Sequence, residues 1–498
     1  MAWCGPDLTV VSVGPDAEGD SRLMCMGTTS SVFTCELNEA RRQEQLRTPV
    51  LMRHFGGAFS AVQVAFGDKH LAIVTACQKL FMGGSNMHGQ IARDSRIMSC
   101  PGGPYKLRES QPRGLVESVA CGAVHTLAVT VAGSVASVWG CGSNLELQLR
   151  NNRNDDRCYN FWMELDISKL RAAQTTPGAV RVAAGRDFSV VAVGDAVGAI
   201  GSGAPGARRA AGAGGSAGAA GGFVAAAALP WRGTAIKHLV AGDHHVMMAC
   251  ASERRLHVYG WGANDVRQLG FSALVNKVDT PTEIPFGCPQ QEADTFPSML
   301  STFRGNSLIV AGGTVWSMGS HEADEFWPSR EVPHFWDEEG HYSRQLDPQL
   351  FDGLPIAYAG AGPMHTVFVT ACGELFMRGS QSAGPDNGIP TRVRHLKRGV
   401  KGLCDTNPLW TPARVPSELF GGLPVRLWGL PPMYKLAFLM GTHDRLGWHD
   451  AKLASGSCKR KGRTPGVPVP CGVSALDPML LKMIIDFADA LAPSVCIP

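Results

Sequence analysis

The chain has 498 residues, of which 44% are hydrophobic and 18% charged, and its formal net charge is only +3. A charge this close to neutral does not favour nucleic acid or a membrane surface as the partner. The 59 glycines and 32 prolines are typical of a chain that needs many turns between short strands. These numbers favour a large globular protein with a buried core.

The fifteen cysteines are an odd number, and they include no Cys-x-x-Cys pair. We interpret them as small apolar residues of a reducing compartment rather than as a disulfide framework or a zinc site. The first twenty residues carry no basic side chain and no long apolar core, which argues against a secretory signal or a mitochondrial presequence. No apolar run approaches the ~18 residues that a membrane span needs. A cytoplasmic or nuclear location is therefore predicted.

In chain order, the first strand-like segment is Arg22–Thr28, whose sequence RLMCMGT is typical of the second half of a β-hairpin. Complete hairpins follow at 70–85, 125–143 and 365–380, each made of two apolar runs joined by a turn after a threonine. The first and third are nearly the same sequence, HLAIVTACQKLFMGGS and HTVFVTACGELFMRGS. Because a single hairpin is only marginally stable in water, this recurrence predicts a repeat protein.

A Gly-x-x-His motif precedes each of these hairpins and one further apolar segment. The repeated glycines and histidines are Gly67 and His70, Gly122 and His125, Gly242 and His245, and Gly362 and His365. Eroded copies carry Phe188 and Leu308 at the histidine position, and a last copy is proposed at 427–440, with Tyr434 there. Seven units at a spacing of roughly sixty residues are typical of a β-propeller with four-stranded blades. We therefore predict an all-β, seven-bladed propeller over residues 20–447.

An N-terminal strand is predicted to close the ring. The last copy supplies the first half of a hairpin at 434–440, and Arg22–Thr28 looks like the missing second half. Pairing the two in one blade would remove two exposed sheet edges, which otherwise invite aggregation.

The repeat resembles that of a known family. Its order is Thr-Pro, Gly-Gly, Gly-x-x-His, an apolar strand, a turn, aromatic-x-Gly, and then Asn with Gly-Gln, and residues 62–90 are the best single copy. This order is similar to the regulator of chromosome condensation repeat, whose members are seven-bladed propellers. The resemblance implies a protein-interaction propeller that acts as a scaffold or regulatory platform. The alternative that it implies is guanine-nucleotide exchange on a Ran-type small GTPase.

Two departures from the family pattern weigh against nucleotide exchange. Exchange activity in the family relies on a β-wedge inserted from the third blade, whereas the third repeat here carries the Gly/Ala-rich segment 201–229. The basic N-terminal tail of chromatin-bound members is missing as well. The Gly/Ala segment is too poor in large apolar residues to offset its ordering entropy, so we predict a disordered loop.

We interpret the repeated histidines as structural. Because His70, His125, His245 and His365 recur at equivalent blade positions, they should form a ring around the axis, too far apart to share one ion. Each is expected to bond a neighbouring backbone group, within its blade or across to the next. No metal is predicted.

The acidic neighbours of these histidines are the better candidates for function. Asp68, Asp187 and Asp243 lie inside the Gly-x-x-His segments. In exchange factors of the family, acidic and histidine residues of these segments meet the GTPase. By that resemblance, the candidates for a partner-binding face are Asp68, Asp243, His244 and His245. Turn capping by the aspartates is the structural alternative.

Catalytic motifs do not stand out. The chain has no Gly-x-x-x-x-Gly-Lys-Ser/Thr phosphate loop and no His-Glu-x-x-His. Residues 214–218 spell the nucleophile elbow, but their Gly/Ala surroundings provide neither the strand before it nor the helix after it. We therefore predict no covalent chemistry and no cofactor, and a protein as the partner.

Residues 448–498 lie outside the repeats. The basic cluster at 459–463, KRKGR, fits either a nuclear-import signal or a solvated linker. Asp477 at the N-cap and Pro478 at the first helical position then begin an amphipathic helix that ends at Leu491. This helix either docks on the propeller or binds a partner.

Overall fold

The computed structural model describes residues 1–425 apart from internal segments, the longest being 15–21, 29–44, 94–106, 150–157, 205–223, 287–298, 320–334 and 380–408. The proposed last repeat at 427–440, the basic cluster at 459–463 and the C-terminal helix at 477–491 lie outside the described residues.

Seven antiparallel sheets follow one another along the chain, each ordered from an inner strand outwards. Blade 1 contains β1 Ala2–Cys4, β2 Leu8–Val13, β3 Arg22–Thr28 and β4 Gln45–Leu51. Blade 2 contains β5 Ala61–Phe66, β6 His70–Thr75, β7 Leu80–Gly84 and β8 Arg108–Glu109. Blade 3 contains β9 Leu115–Cys121, β10 His125–Ala132, β11 Val135–Ser143 and β12 Cys158–Leu165. Blade 4 contains β13 Val180–Ala184, β14 Ser189–Val193, β15 Ala196–Ile200 and β16 Val224–Ala225. Blade 5 contains β17 Ile236–Ala241, β18 His245–Ser252, β19 Arg255–Ala263 and β20 Lys277–Glu283. Blade 6 contains five strands, β21 Met299–Phe303, β22 Asn306–Ala311, β23 Thr314–Gly319, β24 Phe335–Trp336 and β25 Tyr342–Gln345. Blade 7 contains β26 Ile356–Ala361, β27 His365–Thr370, β28 Leu375–Gly379 and β29 Leu409–Arg414.

Helices are short and lie between blades. In the described part of the chain these are one α-helix, α1 Ser168–Ala173, and two 3-10 helices, Pro348–Phe351 and Ser417–Phe420. The prediction of an all-β, seven-bladed propeller is therefore confirmed.

The hydrophobic core is divided into seven layers, one at each boundary between neighbouring blades. Each of the seven clusters of buried apolar residues combines side chains of two consecutive blades, including one between blade 7 and blade 1. The second strand of a blade is covered on both faces by its neighbours, which explains why β6 and β27 are continuous, fully buried apolar runs, HLAIVT and HTVFVT. The hairpin sequences that repeat most clearly are thus the ones buried most deeply.

The strand order gives the ring two different faces. The first residue of the second strand pairs with the end of the third strand, as in His70 with Gly84 and His125 with Gly142. The connection between the third and fourth strands of every blade therefore emerges on the same side as the Gly-x-x-His turn, and we call this side the loop face. On the opposite side, the connection between the second and third strands is only two to four residues long in blades 2 to 7.

The N-terminal residues form a complete blade of their own, so the predicted start of the propeller at residue 20 is too late. The predicted pairing of Arg22–Thr28 with 434–440 is also wrong, because β3 is already paired with β2 on one edge and β4 on the other. Sequence inspection missed this blade because its turn, which begins at Gly5, carries Leu8 where other copies carry histidine.

Two further predictions need correction. In the eroded copy of blade 6, Asn306 and not Leu308 takes the histidine position, since Asn306 pairs with Gly319 as His70 pairs with Gly84. Most of the Gly/Ala segment lies outside the described residues. Its end is ordered, because Val224–Ala225 forms the fourth strand of blade 4, paired with Gly198 and Ala199.

Blade 1 closes the ring by packing directly on blade 7. Strand β1 contacts both β26 and β27. Val11, Val13 and Met26 of blade 1 share a buried cluster with Val367 and Met377 of blade 7. The N-terminal blade is therefore part of the ring and not an appendage.

Truncation of Met26 tests this packing. Met26 is 0% exposed at the boundary between blades 7 and 1, whereas Met87, on the loop face, is 56% exposed. We expect Met26→Ala to lower the free energy of unfolding by about 2–5 kcal/mol, because it leaves a cavity. Met87→Ala should change it by less than about 0.5 kcal/mol. Denaturant unfolding of both variants measures the difference, and equal values would mean that blade 1 is not packed in the ring.

Candidate partner-binding face at the channel mouth

The inner strands of the blades enclose a central channel with a volume of about 400 Å³. Its lining changes along the axis. The side towards the opposite face carries the larger side chains, those of Arg181, Lys237, His238 and Tyr358. Near the turns, glycines and the small side chains of alanine and cysteine dominate. The Gly-x-x-His turns surround the mouth of this channel on the loop face.

Backbone hydrogen bonds link these turns around the mouth. In each bond, the residue that follows the turn glycine donates its N–H to the backbone carbonyl of the residue at the equivalent position in the next blade. In blade 6 the equivalent residue is Arg304. The four bonds run from Asp68 to Ala123 (3.2 Å), from Ala123 to Arg186 (3.3 Å), from Arg186 to Asp243 (3.0 Å) and from Asp243 to Arg304 (3.1 Å). Blades 2 to 6 are thereby joined into one continuous rim.

Four of the five rim residues are charged, and their side chains pair across the mouth. Arg186 Nη1 lies 3.7 Å from Asp243 Oδ2, and Arg304 Nη2 lies 4.0 Å from Asp68 Oδ1. A further contact of 3.7 Å joins Arg186 Nε to Asp187 Oδ2. These distances are longer than direct hydrogen bonds, and exposed ion pairs of this kind add little stability. The carboxylates therefore keep capacity to bind another donor.

Burial raises the pKa of two carboxyls at the mouth, that of Asp243 in the rim and that of Asp187 beside it. For Asp243 the main cause is desolvation, reinforced by the charge of Asp68 and opposed by Arg304 and Arg186. For Asp187 the main cause is again desolvation, opposed by Arg186. A desolvated carboxylate with loose partners would be stabilised by a cationic group from a bound protein.

The structure brings three of the four candidate residues to the mouth. Asp68 and Asp243 come from blades 2 and 5 and meet there through Arg304 and Arg186, and His244 is exposed beside them. His245 is 0% exposed and belongs to the boundary between two blades, so it lies outside this surface. Sequence inspection did not single out Arg186 and Arg304. The signal was available for Arg186, which follows Gly185, but not for Arg304, which follows Phe303 at the equivalent position.

The repeated histidines each bond a hydroxyl group of the next blade. The Nε2–Oγ distances are 2.9 Å for His70 and Thr126, 3.1 Å for His125 and Ser189, 2.8 Å for His245 and Ser307, and 2.7 Å for His365 and Thr9. Their structural role across blade boundaries agrees with the interpretation above, but the partner is a side-chain hydroxyl and not a backbone group. We call each of these bonds a histidine joint.

The hydroxyl shows that Nε2 of the ring carries a hydrogen. Thr126 Oγ1 donates its proton to the carbonyl of Gln90 at 2.8 Å, so it must accept from His70 Nε2–H. Ser189 does the same between Gln148 and His125. The rings of His70 and His125 therefore carry a hydrogen on Nε2.

Burial keeps them neutral, because it lowers the pKa of all four histidines. The pKa falls to about 3 for His70 and His245, and to about 4 for His125 and His365. In each case burial is the largest cause, since a charged ring would lose its hydration.

Two blade boundaries use apolar pairs in place of histidine joints. At the boundary of blades 1 and 2, Leu8 replaces the histidine and Leu71 replaces the hydroxyl, and both lie in one buried cluster. At the boundary of blades 4 and 5 the pair is Phe188 and Val246, again within one cluster. Histidine and hydroxyl are thus lost together, which avoids leaving one polar group buried without a partner.

The turn glycines are required by the same packing. A Cβ built on Gly67 would meet the ring of His70 and would lie 2.5 Å from the carbonyl oxygen of Gly122 in the next blade. Built on Gly122, it would meet the His125 ring and the Gly185 carbonyl. Gly242 is equally crowded by its own histidine, and a Cβ on Gly362 would lie 2.9 Å from the Cβ of Cys4. The spacing of Gly-x-x-His reflects one compact joint.

The described residues were compared with two further requirements, those of a metal site and of a membrane-spanning helix. No group of three or more His, Cys, Asp or Glu side chains in these ranges is placed to hold a metal ion. None of the helices in the described part of the chain combines the length and hydrophobicity that a membrane crossing requires.

Comparison with known proteins links the repeats to GTPase regulators. The chain is 35% identical to the human X-linked retinitis pigmentosa GTPase regulator over 124 residues, which is 24% of this chain and 12% of that protein. No family model matches. Yeast RCC1 (Prp20), in complex with Kap60, aligns with a TM-score of 0.52 at 15% identity over 84% of this chain and 85% of that one. Human WBSCR16 aligns with a TM-score of 0.51 at 16% identity over 82% of this chain and 94% of that one.

These likenesses differ in what they cover. The match to the human regulator spans only about an eighth of that protein's length. The two structural likenesses span most of the ring at low identity, and they establish the fold.

Replacing Thr126 tests the histidine joint. Thr126→Val keeps the shape of the side chain but leaves His70 Nε2–H buried without a partner, and the Gln90 carbonyl keeps only the Cys141 thiol at 3.5 Å. We expect a loss of about 1–3 kcal/mol for each unsatisfied group in denaturant unfolding. Thr126→Ser retains the hydroxyl and is the matched control. If the valine and serine variants unfold at the same denaturant concentration, the joint does not stabilise the ring.

The joints also predict how stability depends on pH. An unfolded histidine titrates near 6.5, but these four titrate near 3–4 when folded, so the unfolded state binds more protons as the pH falls. The stabilisation is fully present above about pH 6.5 and is lost below it, by about 1.4 kcal/mol per histidine per pH unit. Unfolding measured between pH 7 and pH 5 should show this slope. The double variant His125→Phe/Ser189→Val copies the apolar pair of Phe188 and Val246. It should reduce the slope by about 1.4 kcal/mol per pH unit, the contribution of one histidine. An unchanged slope would contradict the assignment.

Proposed function

We propose that the chain is a divergent member of the regulator of chromosome condensation repeat family, and that its loop face is a protein-interaction platform without covalent chemistry of its own. The observation that supports this most is the placement of the connections between the third and fourth strands. All seven emerge on the loop face, around the charged mouth, and each is at least 13 residues long, whereas the opposite face carries turns of two to four residues within blades 2 to 7 and connections of 5 to 15 residues between blades. Repeat proteins concentrate their insertions on the face that binds partners.

The charges of the mouth suit a protein partner. The carboxylates of Asp68 and Asp243 alternate with the guanidinium groups of Arg186 and Arg304, so both signs are offered within one small surface. Mixed charges of this kind steer association and select partners more than they add affinity. A nucleic acid would require a predominantly basic surface. The proposal includes the predicted cytoplasmic or nuclear location.

Nucleotide exchange on a Ran-type GTPase is the second candidate function. It is favoured by the relatives, because one is named a GTPase regulator and yeast Prp20 has been studied for binding to Gsp1p and histones. It is also favoured by Asp68, Asp243 and His244, which the family resemblance assigns to the GTPase-facing side. The Gly/Ala-rich connection 201–223, in the blade of the third predicted repeat, departs from the wedge that exchange factors use.

A double substitution on the loop face tests the platform. Full-length protein is used to capture partners from lysate, in parallel with Asp243→Ala/His244→Ala and with His257→Ala/Glu283→Ala. The control pair, joined at 2.9 Å, offers the same residue chemistry near the opposite face of the same blade. Losing a charged contact at a desolvated interface costs ~2 kcal/mol or more, about thirtyfold in affinity. We expect the first variant to lose the captured protein and the control to retain it, and equal retention would refute the placement.

Release of fluorescent GDP from Ran separates the two candidates. We expect the wild-type protein at stoichiometric concentration to give no acceleration, because an exchange factor must bind the nucleotide-free state more tightly and the wedge that would do so has no counterpart in the sequence. Acceleration above ~tenfold that the Asp243→Ala/His244→Ala variant abolishes would establish exchange instead.

A further inference from the structure

The central channel carries an excess of basic side chains at the end opposite the loop face. Among the described residues that line its volume of about 400 Å³, three are basic and none is an aspartate or a glutamate. The three are Arg181, Lys237 and His238, and we call them the basic cluster. At the loop-face mouth, in contrast, carboxylates and guanidinium groups alternate, so the two ends of the channel differ in chemistry.

One hydrogen bond between blades assembles the basic cluster. Arg181, in the inner strand of blade 4, donates its Nε–H to the carbonyl of Ile236 at 2.9 Å. Ile236 begins the inner strand of blade 5, and Lys237 and His238 follow it directly. The register of that strand shifts between Ile236 and His238, so Lys237 is the extra residue of a β-bulge, a feature that redirects side chains. Three basic groups from two blades are thereby held at one place.

One carboxylate opposes the basic cluster. Glu117, in the inner strand of blade 3, interacts with Arg181. Burial raises the pKa of Glu117 and lowers the pKa of the Arg181 guanidinium, and the attraction between the two groups opposes both shifts. A single carboxylate does not balance Arg181 and Lys237 together, so this end of the channel keeps a net positive charge even when His238 is neutral. A partly desolvated cation is stabilised by an anion that approaches it.

The Arg181 guanidinium has donors that the described part of the chain does not use. Its Nε–H is bonded to Ile236, and among the described residues no acceptor is bonded to its Nη atoms. The Nη groups form a fork that fits two oxygens of one carboxylate or phosphate. Arg181 is half-buried and Lys237 is exposed, so an anion can reach both from the opposite face.

A tyrosine supported by a tryptophan lines the same space. Tyr358 comes from the inner strand of blade 7 and is half-buried. Trp3 of blade 1, which is 7% exposed, packs edge-to-face against it with ring centroids 6.4 Å apart. Burial raises the pKa of the Tyr358 phenol well above its usual range, so the hydroxyl stays protonated. Within the described residues that hydroxyl makes no hydrogen bond, so an apolar ring and a donor are offered together.

The channel and the loop-face mouth are distinct cavities. The mouth encloses about 70 Å³, and Phe66 and Phe303 line both it and the larger channel. Lys237 is exposed at the other end. A ligand that enters the channel from the opposite face therefore need not compete with a protein on the loop face.

We propose that the channel binds a small organic oxyanion, with its carboxylate or phosphate group on Arg181, Lys237 and His238 and its apolar body against Tyr358. The volume of the channel lies within the range of ~300–1,000 Å³ that small-molecule sites occupy. Arginine binds both kinds of oxyanion through its fork, and lysine adds a compact charge. The proposal does not depend on the function proposed for the loop face.

Calorimetric titration of the full-length protein at constant ionic strength tests the site with phenyl phosphate, benzoate and inorganic phosphate. We expect phenyl phosphate or benzoate to bind at one site per chain, and the tighter of the two identifies the anionic group. The tighter organic probe should bind at least ~tenfold more strongly than inorganic phosphate, which has no ring to bury against Tyr358.

Two substitutions and one control locate the site. Arg181→Gln and Lys237→Gln should each weaken binding of the tighter probe by about tenfold or more, because a hydrogen bond to a charged group is lost. Arg186→Gln removes the same chemistry from the loop-face mouth and should leave the affinity unchanged. Lys237 is exposed, so the Lys237→Gln variant keeps the test decisive even if Arg181→Gln does not fold.

The proposal fails under any of three results. One is the absence of saturable binding for all three probes. Another is a loss of affinity in Arg186→Gln but not in Lys237→Gln, because the anion would then bind at the loop face. The last is equal affinity for inorganic phosphate and the organic probes, which would mean an adventitious ion only.

Discussion

The hydrogen bond between a buried neutral histidine and a hydroxyl of the next blade is the interaction on which this propeller depends. It occurs at four of the seven blade boundaries and positions the turn that follows the inner strand. Because the histidine ring lies against the turn glycine, no side chain fits there. The turns are consequently held close enough to bond one another around the mouth. A joint deep in the core thus determines the geometry of the surface.

The platform and the joints have opposite requirements that one short motif satisfies. The glycine and the histidine at its two ends are buried and fixed, whereas the two residues between them are free to vary. In blade 5 those two residues are Asp243 and His244, both at the mouth, and the histidine that follows is 0% exposed. Each blade can therefore change its contribution to the loop face without weakening its boundary with the next blade.

The predicted count of seven included the copy at 427–440, which lies outside the described residues, and omitted the N-terminal blade. The repeat architecture and the buried hairpins could be predicted because they depend on local, repeated patterns of apolar residues. The N-terminal blade could not, since Leu8 replaces the marker histidine and only its pairing with Leu71 across the boundary shows the equivalence. Asn306 was assigned wrongly for a related reason: its position is defined by pairing with Gly319, not by its neighbours in sequence. Local sequence is a poor guide where a contact joins distant residues.

The candidate site was predicted in part for the same physical reason. Asp68 and Asp243 were found because both follow a motif glycine, but the arginines that face them come from blades whose motifs are eroded. His245 was placed on the surface by resemblance, although the periodicity that identifies it also places it in the core. The charged mouth exists only after the ring has closed, so no single repeat contains it.

The most direct test of the loop face as a platform is a hydrogen-exchange footprint of the full-length protein with and without a captured partner. If partners bind there, protection should increase in the turns at 67–69, 122–124, 185–187 and 242–244, and should not change in the opposite hairpins at 76–79 and 133–134. Protection confined to those hairpins, with the turns unchanged, would contradict the assignment of function to the loop face.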